Sequence, residues 1–329
     1  MIFISGTKEI WLENTAVAIG KFDGLHRGHQ SLIQKINSYK SHHMTSVVLT
    51  FNYNPACRLK GQNPVLIYTS LERRIIASRL GVDVLIEYPF TDETAHMEAK
   101  DFIQEVLIGR LGARHIVVGE DFHFGRERRG DGALLTGMSL PLGYSAHICP
   151  KIHTELPKSF LSDDPAIPAD VKDEADISAT LIRKAISRGE IEIANDMLGI
   201  PYTIIGEVVH GREIGRTIGM PTANLEPGPT KLLPPNGVYA SAAVIDRRVY
   251  PAVTNVGRNP TVAQNQNRRV ETYIHGFSGN IYGRQIEVRL YHFARPERKF
   301  ENLDALKAQM HRDMENSLAY MEKNLRDGQ

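Results

Sequence analysis

The sequence predicts an α/β domain built on a doubly wound parallel sheet, followed by a smaller antiparallel β domain closed by a C-terminal helix. Three observations predict it. Up to Gly199, short apolar strand patterns alternate with helical ones, as in parallel strands joined by crossover helices. After Pro201, strand patterns follow one another with no helix between them, which suggests an antiparallel barrel or sandwich. At 329 residues the chain is also too long for one typical core, so two domains are expected, 1–199 and 200–329.

Residues 15–20 read as a short apolar strand that runs into a turn rich in glycine and histidine. Leu32, Ile33 and Ile36 then recur at helical spacing. Residues 46–51 form a buried-type strand. Thr69 and Glu72 make a capping-box pair ahead of a helix carrying Ile75, Ile76 and Leu80. A strand over 82–86, a helix over 102–111 and a strand over 115–118 follow. Ligands of such sheets bind at the carboxyl ends of the strands, where the unusual residues of this chain fall. From 154 to 176 the pattern dissolves into Pro157, Pro165, Pro168 and a run of acidic residues from Asp163 onward. That is the composition of a solvated loop or a functional flap. Ser178 is a good N-cap for a helix over 179–187, and a further helix ends on the glycine cap Gly199. Strand runs at 203–210, 237–245, 248–256, 270–275 and 285–293 come next. Leu303, Leu306, Met310, Met314 and Leu318 mark the closing amphipathic helix.

Composition narrows the function. Lys+Arg 39 against Asp+Glu 38 gives a net charge of +1, with no electrostatic footprint for nucleic acid or an anionic membrane. Cys57 and Cys149 are the only cysteines and lie far apart, which argues against a disulfide framework or a structural zinc site and fits a reducing compartment. No apolar run approaches the roughly 20 residues that span a bilayer. The N-terminus lacks the charged-then-apolar order of a secretory signal. A cytoplasmic protein is expected, with small phosphorylated ligands still open to local basic clusters.

Four stretches carry chemistry. Gly20, Phe22, Asp23, Gly24, His26, Gly28 and His29 fall directly after a strand and open a helix. Glycines let the backbone approach phosphates, and the helix start offers free N–H groups. Two histidines three residues apart can serve one phosphate as its charge builds. Ser178 and Thr180 can donate hydroxyls to phosphates, and Arg183 a fork of N–H groups. Gly206, Gly211, Gly215 and Gly219 make a backbone-rich flap, after which Thr222 and Asn224 offer hard oxygen ligands suited to magnesium. Glu271 stands inside a strand pattern, where an isolated carboxylate ordinarily faces solvent.

Together these stretches resemble the bacterial bifunctional riboflavin kinase/FAD synthetases, in that family's order and over nearly the whole chain. Residues 20–29 resemble its GxFDGxHxGH signature, the HxGH of nucleotidylyltransferases. Gly119, Asp121, Phe122, Phe124, Gly125 and Arg126 fall in a second block, implied to be a nucleotide and flavin loop. Ile177 to Arg183 resembles the ISSTRIR block. Gly211, Arg212, Gly215, Arg216, Gly219 and Pro221 fall in the kinase nucleotide loop, with Thr222 and Asn224 in its PTAN motif. Segments at Asn236–Tyr239, at Asn255–Thr261 and at Arg295–Phe300 match too, the last read as structure and flavin-edge packing. Asp313 reads as a solvated helix residue.

The resemblance implies a Rossmann-like nucleotidylyltransferase domain and an antiparallel β-barrel riboflavin kinase domain. Its implied chemistry is phosphorylation of riboflavin by MgATP to FMN, then adenylylation of FMN by ATP to FAD and pyrophosphate. Glu271 would be the base of the first reaction, with Mg2+ on Thr222 and Asn224; His26 and His29 would serve the second. The sequence departs from pattern at Asn54, in place of a histidine, at Ala179, in place of a serine, and at Leu181, in place of an arginine. The losses at Asn54 and Leu181 leave open a monofunctional riboflavin kinase with a degenerate first domain; a rival of another class is a non-catalytic flavin- or nucleotide-binding regulator on a retired enzyme fold.

Overall fold

The computed structural model describes residues 1–51, 65–161, 174–211, 215, 219–258 and 268–325. They form two compact units. One comprises residues up to 64 and 73–178, the other 65–72 and 179 onward. The expected division at 199/200 follows the change of texture after Pro201; by contact, the helices Ala179–Arg188 and Ile191–Leu198 group with the second unit.

In the first unit six parallel strands form one sheet: β1 (Ile2–Ser5), β2 (Thr15–Ile19), β3 (Thr45–Phe51), β4 (Val84–Tyr88), β5 (Ala113–Gly119) and β6 (Ser145–Cys149). Their order is β1-β4-β3-β2-β5-β6. The central strands are apolar on both faces because helices cover both, as the continuous burial of β2 and β4 shows. The chain leaves β2 toward β3 and β4 and returns on its other side as β5. The carboxyl ends of β2 and β5 therefore flank the switch point of the sheet.

The capping box is formed as expected. Thr69 N–H donates to Glu72 Oε2 at 2.8 Å, and Glu72 N–H donates to Thr69 Oγ1 at 3.3 Å. The helix expected over 102–111 is present as a short α-turn, Ala99–Asp101, running into π-helical Phe102–Arg110. Several elements had no sequence expectation, β1, β6 and one helix among them. β1 and β6 are edge strands, half-exposed and without alternation. The helix Gly132–Leu142 carries Gly132, Gly137 and Pro141; it forms because Asp131 caps it through Leu134 N–H at 2.8 Å and Gly143 ends it at φ 69°.

The stretch 154–176 is corrected at both ends. His153–Glu155 (β7) pairs antiparallel with Glu174–Asp176 (β8), and Leu156 and Phe160 are buried. Lys151 and His153 both bridge Asp176. Residues 162–173, with Pro165 and Pro168, lie outside the described residues, as do Asn54, Cys57, Arg212 and Arg216.

The second unit holds a closed six-stranded barrel, β10-β13-β12-β11-β14-β9, antiparallel throughout. Its strands are β9 (Tyr202–Val209), β10 (Thr222–Leu225), β11 (Gly237–Ile245), β12 (Arg248–Arg258), β13 (Arg268–Ile274) and β14 (Gln285–Arg295). Closure removes free sheet edges. Alternate residues fill the interior, among them Ala223, Leu225, Val270, Thr272, Thr254 and Val256. The buried hydroxyls there satisfy one another, Ser241 with Thr254 at 2.8 Å and Thr254 with Thr272 at 3.0 Å.

The helix Leu303–Leu325 packs on β11 and β12. Here Asp313 departs from expectation: it is buried and accepts two hydrogen bonds from Arg295, at 2.9 and 2.6 Å, and one from Gln309 at 2.7 Å. A second internal ion pair ties residues 65–72 into this unit. Lys231 Nζ donates to Glu72 Oε2 at 2.9 Å, to Ile67 O at 2.8 Å and to Thr203 O at 2.6 Å, and lies over the rings of Tyr68 and Tyr202. Glu72 Oε1 also accepts from Ile205 N–H at 2.9 Å.

Candidate functional site

At the end of β2 the backbone turns sharply. Phe22, Gly24 and Leu25 have φ of 45°, 87° and 44°, left-handed conformations that cost energy at Phe22 and Leu25. The buried Phe22 and Leu25 side chains hold this turn in place, and the chain enters the helix Arg27–Asn37 at His26. His26 and His29 stack with ring centroids 3.7 Å apart, and Phe22 packs on His29 at 4.9 Å. Gly28 permits this: a Cβ there would lie 3.2 Å from the His26 ring, and one at Gly20 would lie 3.3 Å from Phe22.

Burial lowers the pKa of His26 to about 4, against a smaller opposing pull from Asp121. His29 is held well below the usual imidazole range by burial first, then by His26 and Arg73. Both rings are therefore neutral near pH 7. The Nδ1 atoms of both are buried and have no hydrogen-bond partner among the described residues, an arrangement that calls for a ligand.

The second block begins where β5 ends, on the other side of the switch point. Asp121 reaches His26 electrostatically, so β2 and β5 bring the two blocks together. The block divides by environment. Phe124 is buried in the core against Phe102, with Phe122 stacked on it. Gly125 has φ 71° and leaves no room for a Cβ against Ala99. Gly119 and Asp121 form the strand exit, and the half-exposed Arg126 pairs with Glu98 at 3.5 Å. Ser178 ends the first unit; Thr180 and Arg183 lie on the helix Ala179–Arg188, grouped with the second, as does the half-buried Leu181. One residue that sequence reasoning missed is Arg73. It is buried, bridges Glu87 at 3.1 Å and presents a buried Nε with no partner among the described residues. Nothing in its helical context set it apart from Arg74.

In the barrel, register does the assembling. Asn224 on β10 faces Glu271 on β13, and Glu271 faces Asn255 on β12. Glu271 lies between buried Val270 and Thr272, so this row occupies the barrel's outer face. Thr222 stands two residues from Asn224, on the same face of β10. The Asn224 side chain is buried, and its Oδ1 accepts no hydrogen bond among the described residues. Gly211 packs directly over this amide, where any Cβ would collide with it. Gly215 approaches Met220 as closely and accepts its N–H at 2.8 Å. Gly219 has φ 76°, and Pro221 follows one residue later, immediately before β10.

A family model described as FAD synthetase matches residues 8–159, and one described as riboflavin kinase matches 198–321. The bifunctional riboflavin kinase/FMN adenylyltransferase of Listeria monocytogenes is 32% identical over 321 residues, covering 96% of each chain. The chain belongs to this family. The Bacillus subtilis bifunctional riboflavin kinase/FMN adenylyltransferase is 33% identical, covering 95% of this chain and 94% of its own. A crystal structure titled as a macrolide-efflux protein from Streptococcus pneumoniae superposes with a TM-score of 0.79 at 31% identity, covering 96% of this chain and 99% of that one. Among the described residues no helix is long and apolar enough to cross a membrane. Within the bifunctional family frame, the histidine stack falls inside the FAD-synthetase match, and the row through Glu271 inside the riboflavin-kinase match.

Proposed function

We propose that this enzyme converts riboflavin and ATP to FMN and ADP at the barrel, and FMN and ATP to FAD and pyrophosphate at the parallel sheet. One observation supports both halves. Each signature folds around buried polar atoms with no protein partner among the described residues: Nδ1 of His26 and His29 in one unit, Oδ1 of Asn224 in the other. Such atoms are costly unless a substrate meets them.

In the kinase reaction Glu271 accepts the proton of the riboflavin 5′-hydroxyl as its oxygen bonds to the γ-phosphorus of ATP and the bond to ADP breaks. The unpartnered oxygen of Asn224 and the hydroxyl of Thr222 suit a hard cation, and these two would hold Mg2+ delivered with ATP. When bound, the ion neutralises phosphate charge during transfer. Gly211, Gly215 and Gly219 would form the strap over the nucleotide phosphates; Arg212 and Arg216 of the same block lie outside the described residues.

In the second reaction an FMN phosphate oxygen attacks the α-phosphorus of ATP, and pyrophosphate leaves. No protein base is needed, since that nucleophile is already an anion. The neutral rings of His26 and His29 supply N–H donors to the phosphates, and the turn at Phe22, Asp23 and Gly24 supplies backbone N–H groups. Gly119 and Asp121 stand at the exit of β5 beside His26, and the resemblance assigns phosphate-binding roles to Ser178, Thr180 and Arg183. The enzyme works in the cytoplasm on small molecules, without nucleic acid or membrane, as a monomer or weak homo-oligomer. The near-zero net charge is in keeping with this.

The test is a time course with riboflavin and excess MgATP, resolving FMN from FAD. FMN should rise first and FAD follow. FMN accumulating alone would leave only the kinase half standing, and neither product appearing would overturn the reading.

A further inference from the structure

The row that carries Asn224 and Glu271 extends one strand further, to a residue with no role in the reaction so far. Neighbouring strands lie about 4.8 Å apart, so Asn224, Glu271 and Asn255 span roughly 10 Å of the barrel's outer face. Glu271 stands midway.

Asn255 is held in a defined orientation. Its Nδ2 donates to Oε1 of Glu297 at 3.2 Å. Only the NH2 end of an amide can donate to a carboxylate, so this bond settles which end is the carbonyl. The Oδ1 atom is buried and accepts no hydrogen bond among the described residues. Gly257 makes the arrangement possible, because a Cβ there would collide with Oε1 of Glu297. A glycine, a carboxylate and a strand register thus combine to present one bare carbonyl oxygen on the residue paired with Glu271.

Two acceptors at neighbouring positions favour a donor. ATP phosphates bring only further acceptors to such a place. Riboflavin brings the hydroxyls of its ribityl chain, which end in the 5′-hydroxyl that is phosphorylated. Asn224 has the glycine strap packed on it, whereas Asn255 lies on the opposite flank of Glu271. The row therefore reads from phosphoryl donor to acceptor alcohol.

We propose that Asn255 accepts a hydrogen bond from a ribityl hydroxyl of riboflavin through Oδ1, with Glu297 as the positioning residue that fixes the amide. This rests on the kinase reading of the barrel. It assigns a substrate contact to Asn255 and a function to Gly257, both in a segment that had no role assigned from sequence.

The experiment measures riboflavin kinase kinetics on the full chain, with FAD formation from supplied FMN as a folding control. Asn255→Ala should raise the riboflavin KM about tenfold, the size of one lost hydrogen bond that leaves its partner unsatisfied. The KM for MgATP should stay within about twofold of the parent. Asn255→Asp keeps the acceptor but sets two carboxylates against each other, and should be similarly impaired. Adding Glu297→Gln to it restores an amide–carboxylate pair in the reverse sense, and should recover most of the riboflavin KM. An unchanged riboflavin KM in Asn255→Ala, a shift in Mg2+ dependence in place of one in riboflavin, or no recovery in the double variant would each overturn the assignment. Glu271→Gln separates the two ideas. If it leaves kcat unchanged, the base is misassigned, while the riboflavin KM of Asn255→Ala still decides this contact.

Discussion

His26 and His29 show how much a motif leaves unsaid. Their spacing names the pair, but their neutrality comes from burial, which His26 and Arg73 reinforce at His29. The sign of the pH effect follows. The pKa of His26 falls from 6.5 to about 4 on folding, so between those values the unfolded chain binds a proton that the folded chain does not. Stability contributed by His26 is fully present above about pH 6.5 and lost as pH falls toward 4, a difference of about 3 kcal/mol. Urea melts at pH 7 and pH 4.5 should show His26→Gln losing less stability on acidification than the parent. Equal losses would place the effect elsewhere. In activity, His29→Ala should lower FAD formation by roughly a hundredfold or more while FMN formation holds; parallel loss of both products would indicate misfolding. Glu271→Gln should lower the kcat for FMN by roughly a hundredfold, the range of a lost general base. Glu271 had no standing of its own in the sequence, since a lone Glu in a strand usually faces solvent. The register that sets it between two asparagines is a property of three strands.

At the scale of elements, legibility followed periodicity. Strands with continuous apolar character, such as β2 and β3, were visible, and so was the Thr69–Glu72 box. The edge strands β1 and β6 were not, because a half-exposed edge shows neither alternation nor a full apolar run. β10 was hidden for another reason: its Thr222 and Asn224 read as ligands, yet the strand also closes the barrel. Asp313 looked solvated because its partner, Arg295, is 18 positions away. The strap over β10 carries a prediction of its own. Gly211→Ala would place a Cβ against the Asn224 amide. It should lower kcat/KM for MgATP about tenfold and leave the riboflavin KM nearly unchanged, as steady-state kinetics with each substrate varied would show. An equal effect on both substrates would mean general damage to the barrel.

For the whole molecule, two domains were legible from length and from the change of texture at Pro201, whereas the membership of residues 65–72 was not. That segment is far from the barrel in sequence, and its claim on the second unit rests on a carboxylate and an ammonium that are each only 1% exposed. Removing one partner of such a pair leaves a buried charge uncompensated, at a cost of about 3–5 kcal/mol. Lys231→Met in the full chain should therefore lower the temperature at which FMN formation is lost, with a smaller change in FAD formation from supplied FMN. Matched inactivation temperatures for parent and variant would show the pair to be dispensable.

The same pair bears on anyone who wishes to work with the kinase by itself. A clone that starts at residue 200 would carry the ammonium of Lys231 without its counter-charge, and would also lose Asn195, which accepts the Tyr202 N–H at 2.6 Å and donates to Leu290 O at 3.0 Å. A fragment of 65–72 joined ahead of 179 onward would keep the carboxylate of Glu72 beside that ammonium and should melt at a higher temperature than one that starts at 200.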